Sequence, residues 1–165
     1  MLRQAARRDS GLKLLALARE ATLAADAVLK DATAAVRARV QVDTHTVDRL
    51  FDREQRATHG LAWLATYVEA VRQLTAYADR MRGSGLFSEV EELIVRIGLG
   101  EYLAQIQGGI PISQSEIVRP ADLGLSMAAV AARARMTRPS FDVGRDAACG
   151  IGGGPRTIKD AYDRV

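Results

Sequence analysis

Apolar residues recur near the start of the chain at Leu14, Ala18, Ala21, Ala25, Val28, Ala32 and Ala35. The alternating steps of four and three keep them on one side of a helix. The stripe is mostly alanine, so a partner helix can approach closely. Gln41 to Thr46 breaks the pattern, and Asp43, Thr44 and Thr46 are suited to cap a following helix. A second stripe, Ala57, Leu61, Leu64, Val68, Val71, Leu74, Ala78 and Met81, predicts one helix from about Val47 to Met81. Gly83, Ser84 and Gly85 end it. Gly60 lies inside that helix at a cost of about 1 kcal/mol relative to alanine, which points to close packing or a local bend.

A third helix is predicted over Ser88 to Gln107, lined by Val90, Leu93, Ile94, Ile97, Leu103 and Ile106. Gly98 and Gly100 weaken its middle, and Gly108, Gly109 and Pro111 stop it. Ser113-Gln114-Ser115-Glu116 then fits a capping box, which predicts a short helix to about Arg119. Pro120 and Gly124 punctuate the chain before a last helix over Ser126 to Arg135. Nothing reads as a strand ladder. The expected fold is all-α, an antiparallel bundle of about four main helices over residues 1–136. Residues 137–165, rich in glycine and proline, read as a flexible tail or linker.

Composition narrows the function classes. Hydrophobic residues make up 48% and charged residues 26% of the 165 positions, so wholesale disorder is not expected. Aromatics are only 5%, which leaves an aliphatic core. No run has the length and apolarity of a membrane span, and the basic start does not read as a signal peptide, so the expected compartment is cytoplasmic. The net charge of +3 sits at the two ends, around a mildly acidic body. Nucleic-acid binding needs basic residues clustered on a folded face, and none is expected here.

The candidate chemistry is sparse. Cys149 is the one cysteine, which excludes an intrachain disulfide and any multi-thiolate metal site. It lies among glycines with no histidine near in sequence, and reads as an inert thiol. His45 and His59 lack the spacing of a metal-binding helix, so no metal is expected. Glu89, Glu91 and Glu92 suit the positive end of a helix dipole better than paired acid–base work. The stretch from Gly150 to Thr157 lacks the Lys-Ser/Thr pair of a phosphate loop. No catalytic residue is assigned.

The most distinctive stretch runs from Gly100 to Arg119, where a helix closes in Gly108 and Gly109 and a capped helix is expected to restart. Two readings stand: a tight inter-helix corner, or bare amides at the second helix start holding an anion. Ser113, Gln114, Ser115, Glu116 and Arg119 would form that anion or interaction corner.

Thr58 to Glu69 and Gly100 to Leu123 resemble the N-terminal extension of methylsuccinyl-CoA dehydrogenases, flavin enzymes of the acyl-CoA dehydrogenase superfamily. The resemblance covers roughly residues 10–130. More distantly, Gln105, Gly108 and Gly109 match a Gln-x-x-Gly-Gly element of the superfamily's C-terminal helical domain. In that family it closes a helix and helps hold FAD across a subunit interface, so the resemblance implies a cofactor-binding role for these three. The family's middle β-domain and glutamate base have no counterpart in this chain.

The Ala-rich stripes together with the resemblance point to a non-catalytic helical module that packs on an acyl-CoA dehydrogenase body or self-associates, and a bundle this poor in aromatics is expected to cover an exposed apolar stripe by forming a dimer. The resemblance implies no cofactor for this chain alone and FAD for a full dehydrogenase. Two alternatives stand beside it. One is a fragment of a complete FAD-dependent acyl-CoA dehydrogenase. The other is a free-standing module that binds a small anion or nucleotide at the Gln105–Glu116 corner.

Overall fold

Three helices whose small apolar faces meet along their lengths build the molecule, seen here in a computed structural model that describes residues 2–43 and 45–135. Helix α1 (Leu2–Val40) leads through a hairpin, β1 (Gln41–Val42) and β2 (His45–Thr46), to a short helix α2 (Asp48–Arg53). Helix α3 (Gln55–Gly83) and helix α4 (Glu89–Gly108) follow. A second hairpin, β3 (Ile110–Pro111) and β4 (Ile117–Val118), a 3-10 turn (Pro120–Leu123) and helix α5 (Met127–Arg135) complete the described chain. The expected tail 137–165, with Cys149 and the Gly150–Thr157 stretch, lies outside the described residues, as does Thr44.

The stripe on α1 packs as its spacing demands. Leu14, Ala18, Ala21, Ala25, Val28 and Ala32 are buried, joined by Leu15, Val36 and Val40. All of these but Val40 meet Ala57, Leu64, Val68, Val71 and Ala78 of α3 in one core. Polar pairs along the seam show the two helices to be antiparallel. Arg19 binds Asp79 at 2.7 Å, Thr22 shares a 3.0 Å hydrogen bond with Thr75, and Arg72 binds Asp26 at 2.7 Å. Thr75 is buried, and its hydroxyl also donates to the Val71 carbonyl at 2.9 Å, so burial leaves it satisfied.

Helix α4 lies antiparallel to α3, with Gly98 beneath Leu74: a Cβ there would come 2.7 Å from Leu74 Cδ1. The start of α4 is a capping box. Ser88 Oγ accepts from the Val90 amide at 3.2 Å, while the Ser88 amide donates to Glu91 at 2.8 Å. Of the acidic cluster Glu91 therefore serves the cap, and hydrogen bonds from the Ser88 side chain and the first-turn backbone hold its carboxyl below the usual range.

Four expectations need correction. The helix predicted from Val47 to Met81 is broken at Glu54 (φ −98°, ψ 21°), whose carboxylate sits 3.6 Å from Arg39 and 3.2 Å from Arg53. Asp43 and Thr46 do not cap it. Asp43 turns the first hairpin at φ 45°, Thr46 is in β2, and the residue before α2 is Val47 with no side-chain cap. The core stripe of α4 is Val95, Leu99 and Ile106, rather than the six residues expected, of which only Ile106 is buried. The last correction concerns Ser113–Arg119. No helix forms there. The amides of Ile112 and Ser113 instead donate to the Glu116 carbonyl, at 2.9 and 3.4 Å, closing the β3–β4 hairpin. Proline at 120 disfavours helical backbone at Arg119, so a helix had no room to extend.

Candidate functional site

The β3–β4 hairpin folds back from the end of α4 onto the start of α3, and this return gathers the distinctive residues at one end of the bundle. A Cβ on Gly60 would lie 2.6 Å and 2.9 Å from the two γ-carbons of Val118, so glycine is what lets the hairpin seat. Gly109, at φ 134°, packs against Ile117 and Arg119 in a conformation that favours glycine.

Polar ties fix the hairpin from outside. Arg56 donates to the Ile117 carbonyl at 2.8 Å and lies 3.5 Å from both Glu116 and Asp122. Asp122 accepts from the Arg119 amide at 2.8 Å, and its own carbonyl accepts from Arg39 at 3.0 Å. Arginines of α1 and α3 thus clasp the 3-10 turn from two sides. Ser113, Gln114, Ser115 and Arg119 are exposed at the hairpin. They sit on the β3–β4 hairpin rather than at the start of an α-helix, and the 3-10 turn follows at Pro120.

Beside the hairpin, an aromatic ladder climbs α3 and crosses to α4. Trp63 donates to Nε2 of His59 at 3.0 Å. Trp63 meets Tyr67 edge-on at 6.5 Å, and Tyr67 meets Tyr102 edge-on at 5.1 Å. The Tyr67 phenol then donates to the side-chain oxygen of Gln105 at 2.8 Å. Burial, and then the neighbouring Tyr102, push the Tyr67 phenol up, so it stays a donor through neutral pH.

Gln105, Gly108 and Gly109 are therefore brought together at the end of α4, and the Gln105 side chain and the Gly109 amide are engaged within the chain. Gln105 is held by Tyr67 and reaches Glu101 at 3.4 Å, and the Gly109 amide donates to the Gln105 carbonyl at 2.8 Å. These partners serve the fold. His45 lies exposed in β2, whereas His59 stands on α3 with Trp63. Among the described residues, no group of three or more His, Cys, Asp or Glu could hold a metal ion. No helix there is long and apolar enough to cross a membrane.

The residues that organise this end were not singled out from sequence. Tyr67 lay inside the Thr58–Glu69 stretch without a role. Asp122 carried a usable signal, because proline two residues before it marks the first position of a helical turn. Arg56 carried none, since its partners arrive from some sixty residues on.

No family model matches the chain. It is similar to (2S)-methylsuccinyl-CoA dehydrogenase of Cereibacter sphaeroides, with 46% identity over 114 residues. That match takes in 69% of this chain and 21% of the relative, so the chain spans about a fifth of that protein's length. The expected resemblance to methylsuccinyl-CoA dehydrogenases is thus shown by sequence identity.

Proposed function

We propose that this chain is a non-catalytic helical module of a dehydrogenase of the methylsuccinyl-CoA type, and that it packs on the body of that enzyme. The observation that carries this reading is the 46% identity confined to about a fifth of the relative. The geometry supports it. The polar groups of the most distinctive end, from Arg56 to Asp122 and from Tyr67 to Gln105, are spent on holding the hairpin and the helix ends. Oxidation of an acyl-CoA to an enoyl-CoA requires a base for the α-proton and an acceptor for the hydride. In this reading both belong to the body, and FAD with them.

The test is a turnover assay on the purified chain with FAD, (2S)-methylsuccinyl-CoA and an artificial electron acceptor. The expected result is no reduction of the acceptor above the rate without protein. Turnover by the chain alone overturns the reading.

A further inference from the structure

The aromatic ladder on α3 ends in a bond that depends on a proton. Trp63 donates its indole N–H to Nε2 of His59 at 3.0 Å, one helical turn away. An indole nitrogen only donates, so Nε2 must hold a lone pair, and the neutral imidazole carries its hydrogen on Nδ1. The imidazolium has a hydrogen on both nitrogens and accepts at neither. Protonation therefore removes this bond outright. Among the described residues neither side chain has another hydrogen-bond partner.

Ring geometry decides what the charged imidazole meets. The two ring centroids are 6.4 Å apart and the planes are tilted by 59°. A cation attracted to an indole face sits within about 6 Å of its centre, so the imidazolium finds no such contact where it stands. His59 is exposed, and water takes up its charge. Trp63 is half-buried, and its ring meets Tyr67 edge-on at 6.5 Å. Tyr67 has ties to Tyr102 and Gln105 that do not need the indole. The titratable and charged groups at this end are Arg56 of α3, Glu116 and Arg119 at the hairpin, Asp122 of the 3-10 turn, and Glu101 and Tyr102 of α4. Arg56 is engaged by Glu116 and Asp122, and Glu101 accepts from Gln105. None of them bonds to His59, so none replaces the lost contact.

We infer that His59 and Trp63 form an acid-released latch, in which the neutral imidazole pins the indole along α3 and its protonation frees the indole. The usual net worth of one hydrogen bond corresponds to roughly a two- to twelve-fold bias toward the pinned state. The imidazolium forfeits that bias. Once freed, the indole leaves its edge contact with Tyr67 and turns toward solvent. The outer end of the ladder is thus an apolar surface that acid presents and neutral pH withholds. The latch is independent of the module reading, and its failure leaves that reading untouched.

The chain holds one tryptophan, so its emission reports on this ring alone. The test follows emission and acrylamide quenching of the full chain from about pH 8 to about pH 5, the range in which imidazoles change charge. Circular dichroism follows helix content in the same samples. The expected result is a red-shifted maximum and a quenching constant that rises as pH falls, at unchanged helix content. In His59→Gln, whose amide oxygen accepts but does not titrate, both readings should stay flat. In His59→Ala both should stand at the acid values already at the alkaline end. A loss of intensity with the maximum and the quenching constant unchanged would mean that the imidazolium quenches an indole that has not moved, and overturns the latch. A blue shift on acidification, which reports a cation held on the indole face, overturns it too. So does a wild-type response that persists in His59→Gln.

Discussion

The Tyr67 phenol donates a 2.8 Å hydrogen bond to the side-chain oxygen of Gln105, tying the middle of α3 to the last turn of α4. The bond gives the glutamine of the Gln-x-x-Gly-Gly spacing a structural job. Tyr67→Phe should cost about 0.5–1.5 kcal/mol, the usual net worth of one hydrogen bond. Gln105→Ala should cost a similar amount, and the double variant less than the sum, because the two lose one shared interaction. Urea unfolding of the three variants checks this. Strict additivity would show that the bond contributes nothing.

Acid should loosen the start of α4. The Glu91 carboxyl lies below its usual range because it accepts from Ser88 in the folded chain. A depressed carboxylate adds stability above its unfolded value, near pH 4.3, and that contribution is lost as pH falls through the folded value. Glu91→Gln should therefore flatten the acid limb of a plot of stability against pH. Glu69, lowered by Gln73 and then Arg72, titrates in the same window and should keep its share. Ser88→Ala should cost about 1 kcal/mol at neutral pH by removing the cap itself.

Legibility from sequence followed burial contrast. The stripes of α1 and α3 alternate with polar residues, and most of the positions they named are buried. Helix α4 has too little polar contrast for its period to select a face, so Val95 and Leu99 took the core positions expected for Leu93 and Ile94. The Ser-x-x-Glu pattern occurs twice, at Ser88–Glu91 and Ser113–Glu116. Only the first opens a helix, because twenty residues of helix follow it while Pro120 closes off the second. The break at Glu54 carries no glycine or proline, and its carboxylate partner Arg39 comes from α1. At the candidate site, Gln105, Gly108 and Gly109 were legible as a cluster. The tyrosine and arginines that hold the cluster and its hairpin come from distant parts of the chain.

Arg56 should matter more to the hairpin than its exposure suggests. It is the one α3 side chain with hydrogen-bond or ion-pair contacts to Ile117, Glu116 and Asp122 together among the described residues. An isolated surface ion pair is worth up to about 1 kcal/mol. The 2.8 Å bond to the Ile117 carbonyl adds a charged hydrogen bond to that. Arg56→Met keeps the aliphatic stem and removes all three contacts. The expected outcome is faster amide exchange in residues 110–118, with the exchange of α1 and the body of α3 unchanged. Uniform acceleration across all helices would instead mean that Arg56 supports global stability.

Gly60 and Gly98 should respond in opposite senses to alanine. Both lie inside helices, where alanine gains about 1 kcal/mol over glycine. At Gly98 the new methyl meets the tip of Leu74, a flexible end that can rotate away. Gly98→Ala should therefore be neutral or mildly stabilising. At Gly60 it meets both γ-carbons of Val118, at 2.6 and 2.9 Å, and Leu123 at 3.3 Å. A β-branched side chain has few rotamers to retreat into, and Val118 is anchored by its pairing with Ile110. Overpacking of this kind costs about 1–3 kcal/mol, which outweighs the helical gain. Gly60→Ala should thus be destabilising, and Val118→Ala should be destabilising on its own through the space it leaves. Combined, the added methyl occupies that space, so the double variant should recover part of the loss. Thermal or urea unfolding of all four proteins closes the cycle. A double variant that loses as much as or more than the sum of the two single losses would mean that the hairpin is not seated on Gly60.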